Sequence, residues 1–486
     1  MILVPSSSYY YLLPEIIVAL TGVVLIVADL IWPAHDEATG HTGTWPAYVA
    51  IFGLLAAAAA VLPIAGATQT LFNGIIEIDP LSAFFQLLFI AIGVLVILMS
   101  VETVPKFTRW TAEFYALIAW TILGSMLLAS AAELFTIFLS LQLTSLPLIV
   151  LVGYAKRDPR SGEAALKYLL LVLVSTAVLL YGMSLIYGSL GTSTLSEIGA
   201  KLATQTHIEP VIVLGLVLLL SGFAFKITAA PFHYWVPDAY EGAPTPVTAF
   251  MSVGSKFAGF ALALRVITAA ERVPLNWRLV FGVMAALSMT LGNLGAIRQT
   301  NIKRMLAYSG IAQAGYLLVG VAAFSPQGIS SLLFYMMAYA AANLAAFAVV
   351  IIVSNGIGSE QIKSYSGLSK RNPLLALALM TALLSLAGLP LMAGFMAKFF
   401  VFVSAAQVGL FWVVGIGVIN SVISVYYYLH VVLVMYVGES PAEPMRIDRH
   451  AATALAICLA GVLALGIVPE TAMVVATHAA AALFGR

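Results

Sequence analysis

Charge is scarce in this chain, and so is cysteine. Of 486 residues only 9% are charged and 62% are hydrophobic, with a mean hydropathy of +1.03. A soluble fold of this length has to wet its surface, so the balance excludes one. Cys458 is the sole cysteine, which rules out an internal disulfide and a cysteine-ligated iron–sulfur cluster. No G-x-x-x-x-G-K-[ST] run occurs, so there is no P-loop to hold a nucleotide. A net charge of +1 without a basic cluster offers nothing to nucleic acid. His233 and His430 fall well inside apolar runs, too far apart in sequence to suggest a haem pair. The N-terminus has no basic n-region and no A-x-A cleavage site, so its first apolar run reads as a retained span.

What the chain does have is long apolar runs. Runs near 20 residues match the length an α-helix needs to cross about 30 Å of hydrocarbon. Fourteen candidates follow, at 13–32, 45–64, 79–100, 113–130, 132–154, 163–188, 210–241, 247–270, 277–297, 304–323, 328–354, 373–404, 408–437 and 450–472. Barrel strands would be short and alternating, and these runs are neither. The expected fold is therefore an all-α polytopic membrane protein.

Lys and Arg in the loops set the orientation. Loops after odd-numbered spans hold Lys106, Arg109, Lys156, Arg157, Arg160, Arg298, Lys303, Arg304, Lys363, Lys370, Arg371, Arg446 and Arg449; loops after even-numbered spans hold Lys201, Arg272 and Arg278. The odd-numbered loops are expected in the cytoplasm, with both termini outside it. Arg486 closes the chain, and five basic residues lie within spans.

Four of those five are lysines: Lys167, Lys226, Lys256 and Lys398. An ammonium deep in hydrocarbon costs about 2.5–3.5 kcal/mol on insertion scales, so each is a functional suspect. Lys256 sits about 15 Å into its span. Lys167 lies only about 6 Å inside its helix and follows Glu163 by one turn, so a surface pair accounts for it as well as function does. The fifth, Arg265, is near the outer end of its span and is expected to snorkel. Asp79 reads as a helix-start residue, and Asp238 and Glu241 as loop anchors or subunit contacts.

Two spans carry breaks. Span seven reads GFAFKITAAPFHYWVPDAYEGAP (222–244), where Pro231 removes an amide hydrogen. Span twelve reads SLAGLPLMAGFMAKFF (385–400), with Gly388, Pro390 and Gly394 as breakers. Because the breaks are five spans apart, a repeat of spans 4–8 in spans 9–13 must run upside down. The expected organisation is 1–112 as an N-terminal three-helix segment, 113–270 as the first five-helix repeat, 271–437 as its inverted copy and 438–486 as a C-terminal helix. Paired discontinuous helices in inverted repeats point to a transport site near the midplane, because a break frees backbone groups that hold polar partners at depth. Lys226 and Lys398 lie beside the breaks. Desolvation favours the neutral form of any amine, which suits a lysine in such a niche to proton exchange. The plain alternative is that Pro and Gly only kink packed helices and that the lysines pair with carboxylates. His233 is open to two readings, a cap for freed backbone groups or a proton relay.

The runs SGEAALKYLLLVLVSTAVLLYGMSLIYG (161–188), PFHYWVPDAYEGAPTPVTAFMSVGSK (231–256) and GLPLMAGFMAKFF (388–400) resemble the antiporter-like membrane subunits of proton-pumping NADH–quinone oxidoreductase (respiratory complex I), the subunit N group in particular. Sister subunit M carries glutamate in the broken twelfth helix where this chain has Lys398, and sister L has a long C-terminal extension. The resemblance implies Lys226 as central lysine of a cytoplasmic half-channel, Lys256 as connector, Lys398 in the outward half-channel and Lys167 as a modulator beside Lys226. It also implies location in the cell membrane, no cofactor in this chain, and NADH, FMN, iron–sulfur clusters and quinone in partner subunits, with M and the small subunit K among the neighbours. One position departs. The family has glutamate within a pattern like E-L-x-S-L-P-L, and this chain has Gln142. Glu133 would face the opposite side of that helix, and His430 stands where relatives often carry arginine. Two other readings remain, a subunit of an Mrp-type cation/proton antiporter and a structural spacer in the membrane arm.

Overall fold

The computed structural model describes residues 6–35, 42–205, 208–270, 273, 275–439 and 447–484. Arg272 and Arg446, used above to sort the loops, and Arg486 lie outside the described residues.

Twelve helices among the described residues are long and apolar enough to cross a membrane. The seventh and twelfth spans complete fourteen as shorter pieces, Pro210–Lys226 for the one and Pro373–Ala387 with Ala393–Gln407 for the other. Many helices start in the same way. An Asp, Glu, Asn or Ser side chain accepts a first-turn amide, as at Asp79, Glu133, Asp158, Asn301, Ser325, Asn372 and Asp448. Amides that would otherwise stay unpaired near lipid are thereby satisfied. Asp79 is thus the helix-start residue expected, in a reciprocal pair with Ser82.

Contacts between the spans repeat across the two halves. Span four packs on span five as nine packs on ten, and six on seven as eleven on twelve. The core is built from spans eight (Thr245–Ala270), ten (Ile302–Ala323) and eleven (Pro326–Ile357), which are almost wholly buried. Spans one, six and fourteen face outward over most of their surface.

Four features were not anticipated. A small hairpin, Gln69–Leu71 against Ile76–Ile78, joins spans two and three. An amphipathic helix, Leu195–Thr204, packs on span eight. A further helix, Pro469–Ala481, follows span fourteen and lies against span eleven. A π-helical turn occupies Met251–Ser255, just before Lys256.

The loops after spans three, five, seven, nine and eleven come together around one polar cavity of about 380 Å³. Its wall includes Arg160, Glu241, Lys303 and Glu360. The buried Lys303 ammonium pairs with Glu360 at 2.7 Å and donates to the Ala243 carbonyl at 2.8 Å. Asp238 and Glu241 are the anchors expected, since Arg304 bridges both at 2.8 Å.

Arg265 corrects the sequence reading. Rather than snorkelling it is 3% exposed, and its guanidinium donates to both Asp79 oxygens at 2.7 and 2.6 Å, to Glu77 and to the Ala129 carbonyl. The reason is that span eight is enclosed on all sides, so this end of it has no lipid interface to reach. Arg265→Ala strands the buried Asp79 carboxylate and is expected to cost about 3–5 kcal/mol. Thermal unfolding of the purified assembly, with the exposed Arg160→Ala as control, measures it.

Candidate functional site

Span seven stops at Lys226 and resumes as a short helix at Val236–Gly242. Between them Thr228 takes a left-handed backbone (φ +64°). Groups released by the break find side-chain partners: Trp235 Nε1 donates to the Phe225 carbonyl at 3.2 Å, and Ser288 Oγ accepts from the Ala230 amide at 2.8 Å. Trp235 is held between the rings of Tyr168 and Phe225. Lys226 Nζ donates to Ser145 Oγ at 2.8 Å.

Span twelve breaks at Gly388, whose φ of +90° disfavours any side chain. The Ala387 carbonyl, left without a helical partner, accepts from Lys398 Nζ at 2.8 Å. The same ammonium lies 4.5 Å from the centre of the Tyr316 ring, a cation–π contact. Gly394, read from sequence as a breaker, sits inside the second half-helix and allows close approach instead. A Cβ there would collide with the Ser385 carbonyl.

Lys256 is completely buried and donates to the Gly310 carbonyl at 2.6 Å, with the Tyr339 hydroxyl at 3.4 Å. The π turn before it leaves the Ser252 carbonyl open to Tyr339 OH at 3.3 Å, and Asn343 Nδ2 donates to Ser252 Oγ at 2.5 Å. Such turns often mark functional positions.

Span ten joins Lys256 to Lys398. Three residues beyond Gly310, Gln313 donates to the Leu386 carbonyl at 3.1 Å and accepts from Tyr335 OH at 2.6 Å. Leu386 directly precedes Ala387, which holds Lys398. Ser309 and Tyr428 share a 2.5 Å hydrogen bond on the same side. The polar stripe of span eleven, Tyr335, Tyr339 and Asn343, recurs every four residues and so lines one helix face. Nothing in the sequence reading picked out these residues, although that spacing within an apolar run was visible.

Among the described residues no carboxylate pairs with Lys226, Lys256 or Lys398; each is held by neutral oxygen. The other expected site residues fare differently. Gln142 is half-buried one turn before Ser145, the residue that engages Lys226. Glu133 caps the start of that helix through the Thr136 amide at 2.8 Å, far from Lys226 along the span. Lys167 is a surface group paired with Glu163 at 2.8 Å and Asp238 at 3.2 Å. His233 contributes its backbone carbonyl to the Val236 amide, and its half-buried ring lies against the Pro231 backbone at the break. His430 is exposed on span thirteen, whereas neighbouring Tyr427 and Tyr428 point inward. It stands apart from the buried network because helical geometry turns it onto the outer face.

The family described as NADH:quinone oxidoreductase/Mrp antiporter, transmembrane, matches residues 131–424. NADH-quinone oxidoreductase subunit N of Moorella thermoacetica is 41% identical over 98% of this chain and 99% of that protein. A chain of the solved respiratory complex I from Thermus thermophilus with bound aureothin is 32% identical, with a TM-score of 0.80 over 95% of this chain and 98% of its own. A chain of the solved Mrp complex from Dietzia sp. DQ12-45-1b superposes at a TM-score of 0.86 over 98% and 97% of the two chains; at 22% identity that likeness shows the fold alone.

Tyr335→Phe removes the donor to buried Gln313 and is expected to cost about 1–3 kcal/mol. Exposed Tyr426→Phe serves as a neutral control in thermal unfolding.

Proposed function

This chain belongs to the NADH:quinone oxidoreductase/Mrp antiporter membrane family, in its subunit N group, and from that premise we propose that Lys226, Lys256 and Lys398 form its proton path. It is a proton-translocating membrane-arm subunit of NADH-quinone oxidoreductase and a multi-pass membrane protein. The reading of the lysines is supported by one observation above all. Three buried amines are each held by neutral oxygens, and two of them are joined through span ten.

A lysine bound to a carboxylate resists losing its proton, because loss strands a buried anion. An amine bound to a serine hydroxyl or a backbone carbonyl has no such anion to strand. It can be charged or neutral within one packing arrangement. Protonating one lysine also raises the energy of a charge on its neighbours, since repulsion is weakly screened in a dry interior. Occupancy is therefore coupled along the row, and a change at one end is felt at the other. The hydroxyls of Tyr339, Tyr335, Ser309 and Tyr428 lie along this row and can pass protons.

Protons enter from the polar cavity ringed by the odd-numbered loops. The excess of Lys and Arg in those loops supports a cytoplasmic placement, with both termini outside. Electron transfer from NADH through FMN and iron–sulfur clusters to quinone belongs to partner subunits, and sister M and small subunit K are the expected neighbours. The inverted five-helix repeats, 113–270 and 271–437, supply the two half-channels. Lys167 acts from the surface through Asp238, which Arg304 also holds.

The test is NADH-driven proton uptake by the reconstituted complex. Lys256→Met and Lys398→Met are expected to lower the protons moved per NADH without preventing assembly. Gly310→Ala places a methyl 3.1 Å from Lys256 Nζ and acts in the same direction, while Gly415→Ala, which meets nothing within 4 Å, does not. Pumping unchanged in Lys226→Met, Lys256→Met and Lys398→Met would make the chain a spacer. Gln142→Glu introduces a carboxylate one turn from Ser145, the residue that holds Lys226, and is expected to change the pH dependence of pumping; an unaltered profile would show that position 142 does not act on the lysine.

A further inference from the structure

Span twelve resumes as the half-helix Ala393–Gln407, which packs on spans ten, eleven, thirteen and fourteen and on its own first half, Pro373–Ala387. None of these helices carries an Asp or Glu at any position. Lys303 and Arg304 stand in the first turn of span ten, about 20 Å along the helix from Tyr316. Arg449 opens span fourteen, His430 faces outward, and His450 bonds the Tyr48 hydroxyl at 2.8 Å. Apart from Cys458, the other titratable groups on these helices are tyrosines. Among the described residues, a charge on Lys398 meets no anion from any neighbouring helix.

It meets a ring instead. An ammonium has three N–H donors. One goes to the Ala387 carbonyl at 2.8 Å, and the nitrogen stands 4.5 Å from the centre of the Tyr316 ring. Tyr316 is fully buried, so the attraction of its face for a cation is not spread into solvent. The ring is fixed by three helices. Tyr335 stacks with it at 6.4 Å, Phe402 meets it nearly edge-on at 6.1 Å, and Ser421 Oγ lies 3.3 Å from its hydroxyl. Phe402 follows Lys398 by one turn, so one face of the half-helix reaches Tyr316 through both side chains. At the break, a Cβ on Gly388 would crowd the Lys398 stem at 3.0 Å.

The other two interior lysines are held differently. Lys226 donates to the Ser145 hydroxyl. Lys256 lies 5.1 Å from the Tyr339 ring centre, but the hydroxyl of that ring is 3.4 Å from its nitrogen. At Lys398 the hydroxyl is turned to Ser421, which leaves the ring face to the ammonium. A ring face attracts the charged amine less than a buried carboxylate does, and it strands no anion when the proton leaves.

We propose that the Tyr316 ring face serves as the counter-charge of protonated Lys398, a positioning residue that sets how firmly this lysine holds its proton. The inference rests on the reading of Lys398 as a proton carrier. Because the face favours only the charged amine, its removal lets the proton go at lower pH.

The test is NADH-driven proton translocation by the reconstituted complex across a range of pH, with NADH oxidation by the uncoupled complex followed in parallel. Tyr316→Phe keeps the face and is the reference. Relative to it, Tyr316→Leu is expected to move the alkaline limb of translocation, and not of NADH oxidation, to lower pH. The shift corresponds to a proton held about three- to thirtyfold less firmly, roughly 0.5–1.5 pH units. Should the leucine variant fail to assemble, phenylalanines carrying one, two or three ring fluorines at position 316 keep the shape and drain the face stepwise. The limb is then expected to move in step with the number of fluorines. An alkaline limb that stays in place in these variants, while Lys398→Met lowers pumping, overturns the proposal and leaves Lys398 in the proton path. A shift as large in Tyr316→Phe as in Tyr316→Leu assigns the effect to the hydroxyl and also overturns it. Pumping unchanged in Lys398→Met removes the reading of Lys398 itself, and this inference with it.

Discussion

A buried amine can be held by a carboxylate, which fixes its proton, or by neutral oxygens, which leave the proton negotiable. Both arrangements occur in this chain, and they divide its basic residues by place. Arg265, Lys303 and Lys167 rest on carboxylates at the two ends of the bundle. Lys226, Lys256 and Lys398 lie in the interior and rest on a serine hydroxyl and two backbone carbonyls. Desolvating a charge is expensive in either case. Only the second arrangement lets the charge leave without exposing a new cost.

Backbone oxygens become available for this purpose where a helix is irregular. The Gly388 break releases the Ala387 carbonyl for Lys398, and the π turn at Met251–Ser255 turns the Ser252 carbonyl toward Tyr339. Close packing does the rest. Gly310 has no side chain, so Lys256 reaches its carbonyl directly, and Gly388 leaves room for the Lys398 stem. Irregular backbone at membrane depth is tolerable because protein, not lipid, surrounds it. The enclosure of spans eight, ten and eleven is therefore a condition for the lysine row rather than a separate feature of the fold.

The N-terminal spans follow a different logic. Their charged groups are at the ends, where Asp79 and Glu77 meet Arg265 on the hairpin side and Asp29, Arg109 and Glu113 border an open cleft. These groups hold the segment to the repeats or face the membrane boundary. None of them contacts the lysine row.

Hydrophobic run length, helix breakers and the cost of a lone charge are local properties, so they could be read along the chain. Fourteen spans, two breaks five spans apart and three interior lysines followed from them. Asp79 as a helix start and Asp238 and Glu241 as anchors followed too, since capping and loop charge depend on near neighbours. Partners were another matter. That Lys226 meets Ser145, that Arg265 is buried against Asp79 and that His430 faces outward depend on which helices pack together, separated by 81, 186 and other distances the sequence does not encode pairwise. The polar stripe of span eleven had a legible spacing but no legible purpose until Gln313 and Ser252 stood opposite it. Hydrophobicity acts residue by residue along a helix, whereas hydrogen bonds across a bundle need two surfaces brought together, and only the tertiary structure decides which surfaces those are.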